Sequence, residues 1–365
     1  MKPTKICLLA ISTALAACGG ASKDTATTPG GDTTPAGDTT PAGDTAALAN
    51  PPEGFHSLTP GLIIDDIDAA VDYYVQALGA TKHFAMPGPD GQKTMHAEIK
   101  IGDSIVMLGA EMPEMGAKSP KTLGGTNGSL WYYVPDTDAV VQAMVAAGGT
   151  VQIPPQDMFW GDRWASVIDP FGHQWDIATH KEDLTDEQIA QRMQAAMGGG
   201  HGEAQTPGTP ASSYIREGFH SLTPTLVAHD AKALIAFYEQ ALGAQTLSIT
   251  PMPDGRVIHA EIKIGDSILM LADKFEEMPA GNKPPAELGG SPLSLMLYVP
   301  DADAAFQQAV RAGAEVSMQP MDAPWGDRYG QIKDPSGHTW GVATPREKLT
   351  PEQILERMKA MHGGH

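Results

Sequence analysis

The sequence has 365 residues, of which 41% are apolar and 19% charged, a composition that supports buried cores and more than one domain rather than a disordered chain. Lys and Arg number 24 against 44 Asp and Glu, and a formal charge of −20 excludes a surface that attracts nucleic acid or anionic lipid. Only two cysteines occur, Cys7 and Cys18, both near the amino terminus, so the domains have no thiol for a disulfide or a cysteine nucleophile.

The chain begins MKPTKICLLAISTALAAC: two lysines, an apolar run from Ile6 to Leu15, and small residues before a cysteine. That is the grammar of a cleaved leader rather than of a spanning helix. Leu15-Ala16-Ala17-Cys18 resembles the bacterial lipobox. The resemblance implies a signal peptide over 1–17 and lipid attachment at Cys18, an ordinary secretory leader being the other reading. Gly19 after the cysteine resembles Gram-negative lipoproteins of the outer membrane, facing the periplasm. Residues 18–52 repeat Thr-Thr-Pro-x-Gly-Asp and hold almost no large apolar side chains, so a flexible tether is expected. Once Lys2 and Lys5 leave with the signal the charge becomes −22, and the lipid is the only membrane contact expected.

Beyond the tether the sequence repeats. EGFHSLTP occurs at 53–60 and 217–224, and HAEIKIGDSI at 96–105 and 259–268. Trp-Gly-Asp-Arg followed by Asp-Pro-x-Gly-His-x-Trp spans 160–175 and 325–340. These define two homologous units, 53–197 and 217–365, each long enough to bury a core of its own, joined by a linker over 198–216. A helix starting Leu-Thr-x-Glu-Gln-Ile closes each unit.

In the first unit SLTPGLII reads as a strand, and Asp66 precedes a helix whose Ile67, Ala70, Val71, Tyr74 and Leu78 share a face and which Gly79 stops. Strands around 81–86, 93–101 and 104–110 follow, the last two joined by a tight turn at Gly102-Asp103. The βαβββ order then recurs: a strand at 130–134, a helix from Asp136 to Gly148, and strands near 150–153, 163–168 and 174–179. Two such modules per unit make four in the chain.

Paired βαβββ modules with Tyr73-Tyr74 or Phe237-Tyr238 in the first helix, Leu-Gly-Ala after it and Asp-Pro-x-Gly before the last strand resemble the vicinal oxygen chelate superfamily. The similarity runs over 53–180 and 217–344 and is greatest to the glyoxalase and bleomycin-resistance branch. It implies an α+β fold of two tandem domains, each with two modules forming a curved, partly closed mixed sheet. It also implies one concave cleft per domain, in which metal-dependent members place His or Glu on the first and fourth strands of both modules. Here Thr59, Met107, Ser129 and Asp176 stand at those positions in the first domain, and Thr223, Met270, Ser294 and Gly341 in the second. One carboxylate and a few hydroxyls do not hold Zn²⁺, Ni²⁺ or Fe²⁺, so no cofactor is expected, and a divalent metal would lack the family's ligands.

Other polar groups share the concave face. In TMHAEIKI the side chains of His96, Glu98 and Lys100 alternate with apolar neighbours, and His259, Glu261 and Lys263 repeat them. A histidine beside a carboxylate suits proton transfer; a half-solvated strand with alternating charges is the plain reading. Trp131 and Tyr133, with Met296 and Tyr298 in the second unit, line the same concavity or else pack in a core. Asp169-Pro170-Phe171-Gly172 and Asp334-Pro335-Ser336-Gly337 fit type I turns, with Trp175 and Trp340 in the core beyond them. His173 and His338 at the turn exits read as solvated or capping residues, and Arg163 and Arg328 as structural ion pairs.

Three functions follow from different classes. The first is a tethered protein binding a small organic molecule through Thr59, Ser129, Trp131, Tyr133, Asp176, Thr223, Ser294 and Tyr298. The second is a lyase, isomerase or glyoxalase-type enzyme with His96, Glu98, His259 and Glu261 as acids and bases. The third is an envelope scaffold. A linker of 19 residues reaches roughly 25 Å, so the domains are expected to pack within the chain as a pseudo-twofold pair with two unequal clefts.

Overall fold

The computed structural model describes residues 48–88, 91, 93–197, 207–275 and 282–362. The leader, Cys18 and the tether as far as residue 47 lie outside the described residues. The first module comprises β1 (Leu58–Ile64), α1 (Ile67–Leu78), β2 (Thr81–Pro87), β3 (Thr94–Ile101) and β4 (Ser104–Ala110). A short helix, α2 (Pro120–Leu123), leads into the second: β5 (Gly128–Tyr133), α3 (Thr137–Ala146), β6 (Thr150–Asp157), β7 (Asp162–Ile168) and β8 (Gln174–His180). The first half closes with β9 (Glu182–Asp183) and α4 (Asp186–Met197), and the second opens with β10 (Thr209–Pro210). The third module holds β11 (Leu222–Ala228), α5 (Ala231–Leu242), β12 (Gln245–Pro251), β13 (Val257–Ile264) and β14 (Ser267–Asp273). After α6 (Pro285–Leu288) the fourth holds β15 (Leu293–Tyr298), α7 (Ala302–Arg311), β16 (Glu315–Asp322), β17 (Asp327–Lys333) and β18 (Thr339–Pro345), followed by α8 (Pro351–His362).

The four module helices start the same way for the same reason. Asp66, Asp136, Asp230 and Asp301 each accept a hydrogen bond from the backbone N–H three residues on, at 2.9–3.1 Å. A cap of this kind stabilises a helix by about 1 kcal/mol. At the other end Gly79 and Gly243 adopt φ 68° and 67°, the left-handed turn that stops α1 and α5.

The fold is α+β, with two eight-stranded mixed sheets built of βαβββ modules. Which modules share a sheet is not the order of the sequence. One sheet runs β16-β17-β18-β15-β1-β4-β3-β2 and the other β12-β13-β14-β11-β5-β8-β7-β6. Each therefore joins one module from each half: the first with the fourth, and the third with the second. The joints are antiparallel, Thr59 opposite Met296 and Thr223 opposite Trp131.

The repeated words of the sequence meet at these joints. Asp266 Oδ1 accepts from Ser57 N at 2.8 Å and Ser267 Oγ from Leu58 N at 3.1 Å; Asp103 Oδ1 and Ser104 Oγ do the same for Ser221 N and Leu222 N. A Cβ on Gly102 or Gly265 would lie 2.1 Å from the Ser221 or Ser57 hydroxyl, and both glycines have φ near +60°. EGFHSLTP and HAEIKIGDSI are thus two sides of one clasp, used twice.

One continuous apolar core runs through both halves. Helix α1 packs on α3, and α5 on α7, so helices of different sheets meet between them. Trp175 and Trp340 are wholly buried in this core, as their alternation predicts. Asp169 holds the region together: its carboxylate accepts from Tyr74 Oη at 2.7 Å, Trp175 Nε1 at 2.9 Å, and the Phe171 and His173 amides at 2.9 Å. Tyr238, Trp340 and Asp334 repeat the arrangement. His173 and His338, expected at a solvated turn, are instead buried, because the turn folds inward; His173 Nε2 lies 3.0 Å from Ile63 O and His338 Nδ1 3.0 Å from Asp334. The described part of the linker is also not free chain, since β10 pairs with β9 and Tyr214 O accepts from His180 N at 3.0 Å.

Candidate functional site

The module exchange regroups the expected site residues. The face turned away from the core in the first sheet gathers Thr59, Met107, Ser294, Met296, Tyr298 and Gly341 with His96 and Glu98. That of the second gathers Thr223, Met270, Ser129, Trp131, Tyr133 and Asp176 with His259 and Glu261. Each cleft therefore draws on both halves of the chain, which corrects the grouping by sequence unit. The expected inequality of the clefts stands, and is larger than two substitutions.

In the first cleft Tyr298 and Tyr329 pack with Met107, Met296, Met318, Phe55 and Trp325. Gly341 is required here, since a Cβ would sit 2.8 Å from both Met296 Sδ and Tyr329. Two carboxyls border this apolar floor. Glu98 lies 3.5 Å from His96 Nε2 and 3.9 Å from His83 Nε2, neither a tight hydrogen bond. Asp327 belongs to the repeated Trp-Gly-Asp-Arg motif and is buried. Burial pushes its pKa up to about 6, the Trp325 N–H offsets part of that, and Glu98 adds to it.

The sign of this shift sets a test. A carboxyl raised in the folded state contributes its full share below about pH 4, and that share is lost as the pH rises through about 6. Asp327→Asn is therefore expected to leave urea stability unchanged near pH 4 and to raise it by about 2–3 kcal/mol at pH 7.5. Equal effects at both pH values would show that Asp327 carries no such cost.

The second cleft is built of rings. Trp131 and Trp164 stack at 6.2 Å and 14°, Trp160 meets both obliquely at 6.4 and 6.0 Å, and Tyr133 lies 6.2 Å from Trp131. The indole N–H groups of Trp131 and Trp164 are buried and make no hydrogen bond of good geometry. Beneath them Asp176 accepts from Ser129 Oγ at 2.5 Å and Gln174 Nε2 at 3.2 Å. Its burial raises the pKa, with Ser129, Gln174, Ser166 and Trp164 pulling the other way.

His259 and Glu261 are 3.0 Å apart, closer than their counterparts in the first cleft. Glu261 is also held by Arg216 at 2.5 Å, whose guanidinium lies over Phe219 at 5.0 Å. Burial alone would raise the Glu261 pKa, but His259 and Arg216 outweigh it and hold it low. The same position of the first half is Pro52, so Glu98 has no such cation. At the rim Asp162 receives His180 Nδ1 at 2.7 Å and Tyr133 Oη at 3.5 Å.

Trp160, Trp164, Asp162, Asp327 and Arg216 were not singled out as site residues by the sequence. The available signals were a difference between the repeats, Arg216 against Pro52, and the cluster of three tryptophans that the second unit lacks. Arg163 and Arg328 do behave as structural ion pairs, each forking onto Asp138 or Asp303 of the adjacent helix. The loop after β4 packs as a connection, with Pro120 against Gly172 and Lys121 2.8 Å from Asp65.

Among the described residues, the positions named above carry Thr, Met, Ser, Gly and one Asp already tied to Ser129. Among the described residues, one group of three side chains has ligand atoms close enough for an ion, His56, Asp103 and His220, and it stands at the clasp outside both clefts.

A family model described as Glyoxalase/Bleomycin resistance protein/Dioxygenase superfamily matches residues 54–177 and 218–342. An uncharacterized protein of Mycobacterium tuberculosis is 40% identical over 145 residues, 40% of this chain and 85% of that protein. The anthracycline biosynthesis protein DauV of a Streptomyces species is 25% identical over 291 residues, covering 77% of this chain and 90% of DauV. Among solved structures, glyoxalase I from Zea mays aligns over 84% of this chain and 96% of its own, at 16% identity and a TM-score of 0.53, a likeness of fold.

Proposed function

Because this chain belongs to the glyoxalase/bleomycin resistance protein/dioxygenase superfamily, we propose that it binds a flat organic molecule in the tryptophan-lined cleft, without a metal bridging ligand and protein. The observation that carries this reading is the stacked Trp131–Trp164 pair, extended by Trp160 and Tyr133, beside the buried carboxyl of Asp176. Aromatic walls supply contact area at little entropic cost, and they suit the face of a flat ligand. Asp176 can donate when protonated and accept when ionised. The name of DauV, an anthracycline biosynthesis protein, is consistent with an organic ligand.

The full chain, treated with chelator, is expected to bind a polycyclic aromatic glycoside with quenching of tryptophan fluorescence. Trp131→Ala and Trp164→Ala should each weaken that binding by about tenfold or more. Wild-type affinity in both variants, or binding only when a divalent metal is restored, would sink the reading.

A second reading is acid–base chemistry of the lyase or isomerase type in the first cleft. It is favoured by Glu98, which has no cation of the Arg216 kind, beside the perturbed Asp327. Glu261 suits that role less well, being committed to Arg216. Turnover of a hydroxy-carbonyl substrate that is lost in Glu98→Gln and kept in Glu261→Gln would favour this reading over simple binding.

For location, we propose a periplasm-facing lipoprotein anchored at Cys18. Among the described residues no helix is long and apolar enough to cross a membrane. Cys18→Ser is expected to move the protein from the membrane fraction to the soluble one; retention on membranes at high salt would contradict this.

A further inference from the structure

The two clefts differ in how their acids are answered. In the second cleft each has a basic partner from the chain itself: Arg216 Nη1 lies 2.5 Å from Glu261, and His180 Nδ1 lies 2.7 Å from Asp162. Arg216 also feels Asp162, so one guanidinium serves both acids. The corresponding acids of the first cleft are Glu98 and Asp327. There the EGFHSLTP words set Pro52 against Arg216, and the Trp-Gly-Asp-Arg repeat sets Pro345 against His180. Among the described residues neither Glu98 nor Asp327 pairs with a lysine or arginine.

The rest of the arrangement is kept. Phe55 N donates to Pro52 O at 3.0 Å as Phe219 N does to Arg216 O at 3.1 Å, so the two turns match. Phe55 meets Tyr298 edge-on at 5.6 Å, as Phe219 meets Tyr133 at 5.8 Å. Phe219 is the ring beneath the Arg216 guanidinium; Phe55 keeps the ring without the cation. Burial first, then Asp327 and Glu98, hold the Tyr298 hydroxyl well above its usual range, so both acids act on one tyrosine.

One further acceptor faces this place. Gln331 is 1% exposed and lies in phase with Asp327 and Tyr329, opposite Gly341. Its Nε2 donates to Tyr329 Oη at 3.2 Å, while its Oε1 is buried without a partner. Two carboxyls and an amide oxygen therefore stand beside aromatic rings with no positive charge supplied by the chain. Such acceptors are satisfied by a cation that carries N–H groups, and the rings favour the same charge.

We propose that the first cleft binds a small organic cation with N–H donors, an amine or amidine on an apolar body, whose charged end takes between Glu98 and Asp327 the place that Arg216 fills in the second cleft. Phe55, Tyr298, Met107 and Met296 receive the apolar body. This site is separate from the tryptophan-lined cleft and does not depend on what that cleft binds. One cleft is thus neutralised by the chain, and the other is left for the charge of a ligand.

The probe is benzamidine, compared with neutral benzamide of the same shape, each titrated calorimetrically into the full chain at low salt. A pH of about 7.5 keeps Asp327 ionised. Benzamidine is expected to bind about tenfold more tightly than benzamide, or better. Pro52→Arg, which supplies the missing guanidinium, and Glu98→Gln should each weaken benzamidine about tenfold or more, whereas Pro52→Ala should bind it as the wild type does. Circular dichroism verifies that each variant is folded. Equal binding of the two compounds, binding of neither, or undiminished benzamidine affinity in Glu98→Gln or in a folded Pro52→Arg would overturn the proposal.

Discussion

Produced separately, residues 48–206 and 207–365 will not yield folded monomers; each will form a homodimer, and the two together will reassemble into a 1:1 complex of native mass. In the intact chain β1 pairs with β15 and β11 with β5, so each half alone loses the neighbour of both its first strands. The freed edges are apolar on the core side, Leu58, Leu62 and Ile64 in β1 and Leu130 in β5, and such edges do not remain unpaired in water. Because the modules are homologous, β1 of one copy can join β5 of another, which closes a twofold dimer. The M. tuberculosis relative, matched over 145 residues that make 85% of its length, is about the size of one such half. Light scattering coupled to gel filtration decides: a monomeric half with a cooperative melt would refute the exchange of modules.

The second large effect is expected at Asp169. Asp169→Ala leaves the Tyr74 hydroxyl, the Trp175 indole N–H and two backbone amides buried without an acceptor, at a cost of about 3–5 kcal/mol. Asp169→Asn retains one carbonyl oxygen and should lose less. Tyr74 lies on α1 of the first sheet and Asp169 follows β7 of the second, so the damage reaches both sheets. Unfolding followed by circular dichroism and by tryptophan fluorescence should then shift together. A loss below about 1 kcal/mol, or two separated transitions, would show that the carboxylate is not the tie between the sheets.

The modules themselves were legible because their signals are local. Asp66 and Asp136 mark helix starts, Gly79 and Gly148 mark ends, and the alternation around His96 and Glu98 sets which face meets the core. Which module shares a sheet with which was not legible, since β1 meets the same apolar edge in β5 as in β15. The grouping of site residues failed with it: Thr59 belongs with Ser294 and Tyr298, and Thr223 with Ser129 and Trp131. Asp162 and Asp327 escaped notice for another reason. They begin a strand in a motif whose Arg neighbours do serve as architecture, and their place on the cleft face follows from the pairing that sets them in phase with Asp176 and Gly341.

The pairing of first module with fourth also fixes the order in which the chain can finish during synthesis. The second sheet has all its strands once Asp273 has been made, whereas the first sheet lacks its partner until Pro345. The earliest segment to emerge is therefore among the last to settle, and strands 58–110 must wait through nearly the whole of translation with an open edge. An incomplete chain therefore leaves its leading module without the neighbour of β1, and the first sheet closes only with the last module.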